Sequence, residues 1–453
     1  MTRRRCDIAI VGGGLAAHTA AATLAEAGAD VVMIYPPSPG ATALWGGLGQ
    51  AFGPSTDFLP RSTGQIRAET VARQQDERPF YRRRAERFER LMMRREFHPY
   101  RRAQLSADEL QRSLARSVAA LGYPGLRLLD DERIIPSASA SPVAADLAAS
   151  SVLGSAVASG ESVGVVACAA LADWSAPRLV GVLDALPDVD AHLLEVSPFA
   201  DLQAGSSHSV RVATRLGDRL FGDIEALSAV IGEQIGRLGL DAVVFPPCIG
   251  ATWQEHEELV EALDAALPCR VAEAAAARHS IHGWRLDRFL RANVAVDTMR
   301  ARATSVDVAG GRLLRVQTDD DSVETESLIL ATGRWIGGGL PKDAPFREPL
   351  LGLDLWIDGA PVPNPEDSWL PGLLAEHVFE DHPLFRAGVA TDGALRPLDR
   401  DGEPLADNIF AAGRLLAGTN SYWDGTTEGV DLATGHQAAI NALSLFGTKE
   451  VAS

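Results

Sequence analysis

No apolar run in this 453-residue chain approaches the roughly 20 residues of a membrane-crossing helix, and the best stretch, Val163 to Ala172, is about half that. Any link to a membrane is therefore expected to run through a partner. Cysteine is scarce as well. Cys6, Cys168, Cys248 and Cys269 are scattered without a C-x-x-C pair, which excludes a disulfide framework, a zinc site and a set of iron–sulfur ligands of the chain's own. No metal site is expected, and free thiols suit the cytoplasm. Positive charge is in deficit: the formal charge is −18, so nucleic acid and anionic lipid are unfavourable partners for the molecule as a whole. Arg3-Arg4-Arg5 followed by Ile8 to Val11 imitates an export signal, but Gly12-Gly13-Gly14 cuts the apolar stretch short, and a strand is expected there instead. What remains is ordinary globular composition, 23% charged and 46% hydrophobic, with a length that allows two or three domains.

The chain opens as strand, glycine turn, helix, strand. Cys6 to Val11 is followed by the three glycines, a small-residue helix from Leu15 to Ala27 ending at Gly28, and Val31 to Tyr35. From Pro36 to Pro60 glycine and proline recur, which predicts a long ordered loop without a third regular element. Arg78 to Arg102 holds ten arginines interleaved with aromatic and apolar residues, a basic amphipathic segment suited to a solvated helix face or to the acidic face of a partner. Ser106 and the acids after it start a helix expected to run to about Leu121. Strand-like runs at Ser162 to Ala167, Ala191 to Val196 and Asp241 to Phe245 alternate with helical ones such as Asp223 to Leu238, which suggests an inserted domain. Leu313 to Thr318 and Glu324 to Leu330 read as paired strands around an acidic turn. Asn408 to Gly413 is a further short strand, and a final helix opens at Glu428-Gly429.

Gly12-x-Gly14-x-x-Ala17 stands between a strand and a helix, the context in which this pattern binds phosphate. The first glycine permits the tight turn, the second lets backbone approach the anion, and Ala17 allows close helix packing while N–H groups of Leu15 and Ala16 face the ligand. The usual acid for an adenosine ribose, roughly 20 residues on, is missing. Tyr35 stands there, and the next acid is Asp57. Ala331-Thr332-Gly333 and Ala412-Gly413-Arg414 each end an apolar strand in glycine, where backbone can approach a cofactor. Thr426-Thr427-Glu428-Gly429-Val430 then supplies a helix N-terminus for negative charge on a reduced flavin, or a plain cap. Jointly these elements favour a flavin. Trp45, with Gly46 and Gly47, is placed either to stack near the ring system or to anchor its loop.

The N-terminal glycine finger and Ala331-Thr332-Gly333-Arg334-Trp335, with Gly337-Gly338-Gly339-Leu340, Arg347 to Asp354, Gly388 to Asp392, Arg396-Pro397 and Asn408 to Gly413, make the chain resemble the B subunit of anaerobic glycerol-3-phosphate dehydrogenase. The resemblance spans both ends of the chain and is loose in the middle third. It implies a flavoprotein working beside a catalytic flavoprotein subunit and an iron–sulfur subunit that feeds quinone. That family is described as using FMN, which agrees with the absent ribose acid. The paired glycine elements suit the longer FAD, so FAD is favoured and FMN is the alternative.

The expected fold class is α/β: a discontinuous Rossmann-like flavin-binding domain, residues 1–122 and 281–453, with an inserted α/β or α+β substrate or cap domain, 123–280. Beside the matched turns, Arg334, Arg347, Arg396 and Arg414 could each hold a phosphate or carboxylate, or form an ordinary ion pair. Arg334 and His382 are the catalytic candidates, His382 as a base for a hydroxyl proton. His18, on the first helix, is expected to pack or cap. A small-molecule substrate, such as a polyol phosphate, or a partner flavoprotein would supply electrons. The alternatives are a stand-alone FAD dehydrogenase of another substrate and a redox-silent assembly subunit.

Overall fold

The computed structural model describes residues 3–38, 40–54, 84–137, 142–186, 188–202, 208–222, 224–276, 280–340, 346–362, 373–377, 380–421 and 423–446. Residues 78–83 of the basic segment and 55–60 of the long loop lie outside these.

Ile8, Ala9, Ile10 and Val11 are all buried, as befits a parallel strand covered on both faces. Their strand, β1 (Arg3–Val11), is central to a sheet that also contains β2 (Val31–Ile34), β3 (Asp297–Met299), β4 (Ala303–Ala309), β5 (Arg312–Thr318), β6 (Ser322–Leu330) and β7 (Ile409–Ala411). The order is β3-β2-β1-β6-β5-β4. β5 pairs antiparallel with the start of β6, at 322–324, and β7 pairs parallel with its end, at 328–330. The register levels the strand ends: Val11 faces Leu330 and Ile34, Ile34 faces Met299, and Leu330 faces Ala411. The turns after five parallel strands therefore open at one edge, where open α/β sheets bind ligands.

A second sheet is wholly parallel, with order Asp190–Leu194, Ser162–Val166, Ala242–Phe245, Arg270–Glu273. The alternating runs of the middle third thus build their own α/β layer, over a core of Val163, Val165, Val243, Val244 and their neighbours. A third sheet is antiparallel and corrects one expectation. The stretch after Pro36 is not free of regular structure: Ala41–Leu44 is a 3-10 turn, and Leu48–Gly49 pairs with Pro142–Ala149, which pairs with Leu126–Pro136. Glycine makes this possible, because a Cβ on Gly46 would stand 2.6 Å from the Ala276 carbonyl oxygen. The helical run expected up to Leu238 is the helix Ile224–Leu238, and a further helix, Ser209–Gly222, precedes it.

Five helices position the rest: α1 (Leu15–Glu26), α2 (Arg84–Arg94), α3 (Ala107–Leu121), α4 (Ile281–Ala292) and α5 (Thr427–Ser444). α3 starts as expected, on a capping box between Ser106 and Glu109. α1 and α5 touch backbone to backbone, for a Cβ on Gly435 would lie 2.5 Å from the Ala16 carbonyl oxygen. α2 is tied down by a buried ion pair: Arg87 reaches Asp146 at 2.5 Å and Arg84 at 3.1 Å, while Asp146 also accepts the Ala51 amide at 2.8 Å. α4 is tied to the second sheet by Arg285, which donates to Glu273 at 2.7 Å and to the Gly250 carbonyl at 3.0 Å. Burial alone would raise the Glu273 carboxyl, but the charge and hydrogen bond of Arg285, with His256 and His282, together outweigh it and hold the group down to about 2. Among the described residues no helix is long and apolar enough to cross a membrane.

Four of the buried histidines are held neutral by their surroundings, which is expected to make the fold acid-sensitive. Burial lowers His18, His256 and His282 to about 4 and His98 to about 3. His18 is thus a packed group that donates Nδ1–H to the Gly14 carbonyl at 3.0 Å. Below the ordinary histidine value of about 6.5 the unfolded chain takes up protons that the folded chain refuses, so unfolding becomes more favourable as pH falls. The melting temperature is expected to drop steeply between pH 6.5 and 4, which a calorimetric pH series would measure; a flat profile over that window would contradict neutral burial.

Candidate flavin-binding cleft

The levelled strand ends enclose a cleft of about 600 Å³. Its floor is the turn from Gly12 to Ala16, one wall is Ala331 to Gly333 with the loop to Gly339, and the other is Tyr35 to Thr42. The three glycines have different jobs. Gly12 sits at φ +140°, and a Cβ there would lie 2.2 Å from the Ala331 carbonyl oxygen, so it lets β1 and β6 close together. A Cβ on Gly13 would strike the Tyr35 ring at 2.9 Å. Gly14 alone faces open space, its nearest neighbour being Thr42 Oγ1 at 3.8 Å. Gly14 is also the N-cap of α1 and offers no side-chain cap, and the first turn has no acid, so its N–H groups point into the cleft without internal competition.

The lining is cationic, with Arg291, Arg302 and Arg414 against Asp431. Arg291 stands over the Tyr35 ring at 5.0 Å and is held by Asp287 at 2.8 Å and the Ser38 carbonyl at 3.0 Å. At the other end Arg414 Nε donates to Asp431 at 2.8 Å, and Nη2 to Glu428 at 3.2 Å. Burial raises both carboxyls, the Arg414 charge opposing it. Thr332 lines the cleft with a buried hydroxyl that has no hydrogen-bond partner among the described residues. A bare helix N-terminus, an open glycine, guanidinium groups and a spare hydroxyl fit the phosphates of a flavin nucleotide.

Of the residues singled out from sequence, Gly12, Gly13, Gly14, Leu15, Ala16, Tyr35, Ala331, Thr332, Gly333 and Arg414 come together on this cleft. Others do not line it. Gly413, at φ +74°, packs on Ala16 and donates its amide to Thr434 Oγ1 at 2.8 Å. Trp45 is buried in a separate core cluster, and Gly47 packs on the His282 ring at φ +90°. The start of α5, Thr427 to Val430, meets other residues: a Cβ on Gly429 would lie 2.4 Å from Tyr100 Oη, Val430 is fully buried, and Glu428 reaches Arg414.

Arg334 is buried and donates to the carbonyls of Leu416 and Phe385 at 2.5 Å and of Thr419 at 2.8 Å. Burial lowers its guanidinium to about 10. His382 accepts the Ala375 amide on Nδ1 at 2.9 Å. Arg347 pairs with Asp354, and Arg396 with Asp392 and Asp407. Sequence reasoning missed Arg291, Arg302, Thr42 and Asp431. None carries a local signal, since each reaches the cleft only through the fold.

Residues 7–79 match the family described as FAD binding domain, which indicates flavin binding of the FAD type. A Halobacterium salinarum protein named as the probable B subunit of anaerobic glycerol-3-phosphate dehydrogenase is 26% identical over 276 residues, 58% of this chain and 55% of that protein. The B subunit of anaerobic glycerol-3-phosphate dehydrogenase from Vibrio cholerae is 26% identical over 46% of this chain and 47% of its own length. The protein of that name from Glaesserella parasuis is 28% identical over 43% of this chain and 46% of its own. The chain therefore spans about half the length of the curated relatives it matches. Its N-terminal segment is an FAD-type flavin-binding unit, and over about half its length the chain is similar to the B subunit of anaerobic glycerol-3-phosphate dehydrogenase.

Proposed function

We propose that this chain is a flavin-dependent oxidoreductase subunit, of the kind found as the B subunit of anaerobic glycerol-3-phosphate dehydrogenase. It would pass electrons from a polyol phosphate, or from a partner flavoprotein, towards an iron–sulfur subunit and quinone. The observation that carries the proposal is the cationic cleft at five levelled strand ends, with Gly14 open at a bare helix N-terminus. An FAD bound there supplies acceptance of a hydride or of two electrons. The amides at the start of α1 and Thr332 would hold phosphate, and Arg414, fixed by Asp431 and Glu428, would offer a further cationic contact to the cofactor. Arg334 clamps the turns around Phe385, Leu416 and Thr419, which supports a positioning role. His382 accepts the Ala375 amide on Nδ1, which supports a positioning role for it as well. The separate cores of the main and second sheets support a discontinuous cofactor domain, 1–122 and 281–453, with an insertion at 123–280.

The test is purification under cofactor-replete conditions, acid release and chromatography of the flavin. One FAD per chain is expected, with dye reduction by glycerol 3-phosphate once partner subunits are supplied. A chain that holds no flavin at saturating FAD or FMN would sink the proposal.

A further inference from the structure

The winding of the second sheet reverses at its middle. From Ser162–Val166 the chain crosses to Asp190–Leu194 on one side and later to Ala242–Phe245 on the other, so the carboxyl ends of the two central strands flank a topological switch point. A cysteine follows each of them: Cys168 lies two residues beyond Val166 and Cys248 three beyond Phe245, and their thiols hydrogen-bond one another. Val163 faces Ala242 and Val165 faces Val244, so the two segments leave the sheet side by side. Neighbouring strands lie about 4.7–4.9 Å apart, close to the span of about 5.5–6 Å that a disulfide makes between Cα atoms. The two thiols are unlike. Cys248 is fully buried, and burial together with the adjoining sulfur pushes its thiol well up. Cys168, 3% exposed, accepts the hydrogen bond from Cys248 and is drawn by it below the ordinary thiol value, against burial and with help from the Ala170 and Leu171 amides. One sulfur is thus set to attack and the other to follow. The remaining cysteines stand elsewhere: Cys6 is in β1, Cys269 precedes Arg270–Glu273 at the opposite edge of the second sheet, and burial raises both thiols.

We propose that Cys168 and Cys248 form a reversible disulfide site oxidised by small hydroperoxides, with Cys168 as the attacking sulfur and Cys248 as the resolving one. The Cys168 thiolate attacks a peroxide oxygen and the O–O bond breaks; the sulfur becomes a sulfenic acid, and the hydroxide that leaves takes up the proton Cys168 gave up, as water. The Cys248 sulfur then attacks the Cys168 sulfur, the S–O bond breaks, and the Cys248 proton departs in a second water. Two thiols and one hydrogen peroxide thus give one disulfide and two waters. The enclosure of the pair selects so small an oxidant, since a bulky disulfide has no approach to sulfurs this deeply covered. The turn after Cys248 also reaches further: the Ile249 amide donates to Glu273 at 2.6 Å, and the Gly250 carbonyl accepts from Arg285 at 3.0 Å. Arg285 shares α4 with Arg291 of the flavin cleft, which places the pair one helix away from that cleft. The site stands whether or not the chain holds flavin.

The experiment is peptide mapping of the full chain, reduced, freed of reductant and exposed to a small excess of hydrogen peroxide before alkylation in denaturant. Of the four cysteines, Cys168 and Cys248 are expected to be lost to alkylation and to appear as joined peptides lighter by two hydrogens, while Cys6 and Cys269 carry the alkyl group; dithiothreitol should restore all four. Exposure alone predicts a different order, because Cys269 is the least buried of the four. Cys248→Ser is expected to leave Cys168 as a sulfenic acid that dimedone captures, and Cys168→Ser to leave Cys248 unreacted. Alkylation of both Cys168 and Cys248 after peroxide has oxidised Cys269 would overturn the site, and dimedone on Cys248 in the Cys168→Ser chain would overturn the order of attack. The wild-type map needs no variant, so a serine variant that failed to fold would leave the test of the disulfide intact.

Discussion

A Gly14→Leu chain is expected to fold normally and to emerge from purification without flavin. The backbone at Gly14, φ −92° and ψ −175°, is one that any residue adopts, and an added Cβ meets nothing nearer than Thr42 Oγ1 at 3.8 Å. The leucine would instead project into the space where the helix N–H groups face the anion. Loss of two charge-assisted hydrogen bonds, each contributing about 1.5–3 kcal/mol, weakens binding by at least about 100-fold. A leucine is a poor N-cap, but relative to glycine that costs only about 1 kcal/mol of stability. Gly12→Ala makes the contrast, because its Cβ would collide with the Ala331 carbonyl at a positive φ and the protein itself should suffer. Fluorescence titration with FAD, read beside melting curves, separates the two. Wild-type flavin affinity in Gly14→Leu would remove the phosphate site from the turn.

The largest stability effect is expected at Arg285→Met. Glu273 and Arg285 are almost completely buried, and the guanidinium also serves the Ile249 and Gly250 carbonyls. Removing it strands a carboxylate and the Gly250 carbonyl in a medium that cannot hydrate them, at a cost of about 3–5 kcal/mol. Adding Glu273→Gln to the same chain should recover a large part of that loss, because the uncompensated charge disappears while an amide can still accept the Ile249 N–H at the 2.6 Å position. Urea unfolding of both singles and the double forms a cycle. A cost under about 1 kcal/mol for Arg285→Met would show that the pair does not join α4 to the second sheet.

Much of the cleft was legible because its signals are local. An apolar run followed by glycine is a strand meeting a tight turn wherever it occurs, and three such endings, at Val11, Leu330 and Ala411, proved to be neighbours. Small residues from Leu15 onward announced a helix that must approach another closely, which Ala16 and Gly435 do. The capping box at Ser106 and Glu109 lies within one turn and was equally readable. Arginine was the residue type least open to this approach. Arg84 and Arg87 looked like members of a solvated or docking face, yet they converge on Asp146 about 60 positions away, and Arg87 is buried. Trp45-Gly46-Gly47 resembled a cofactor loop by composition, while its glycines admit the Ala276 carbonyl and the His282 ring.

By itself the sequence determined which segments become strands, helices and glycine turns, and that a phosphate could sit at the first of those turns, because backbone conformation and hydrogen-bond supply are decided within a few residues. Only the tertiary structure decided which strand ends stand level, which arginines reach the cleft and which acids become buried partners. Register and the fate of a charge depend on groups that the chain brings together from far apart, and on how much water those neighbours exclude.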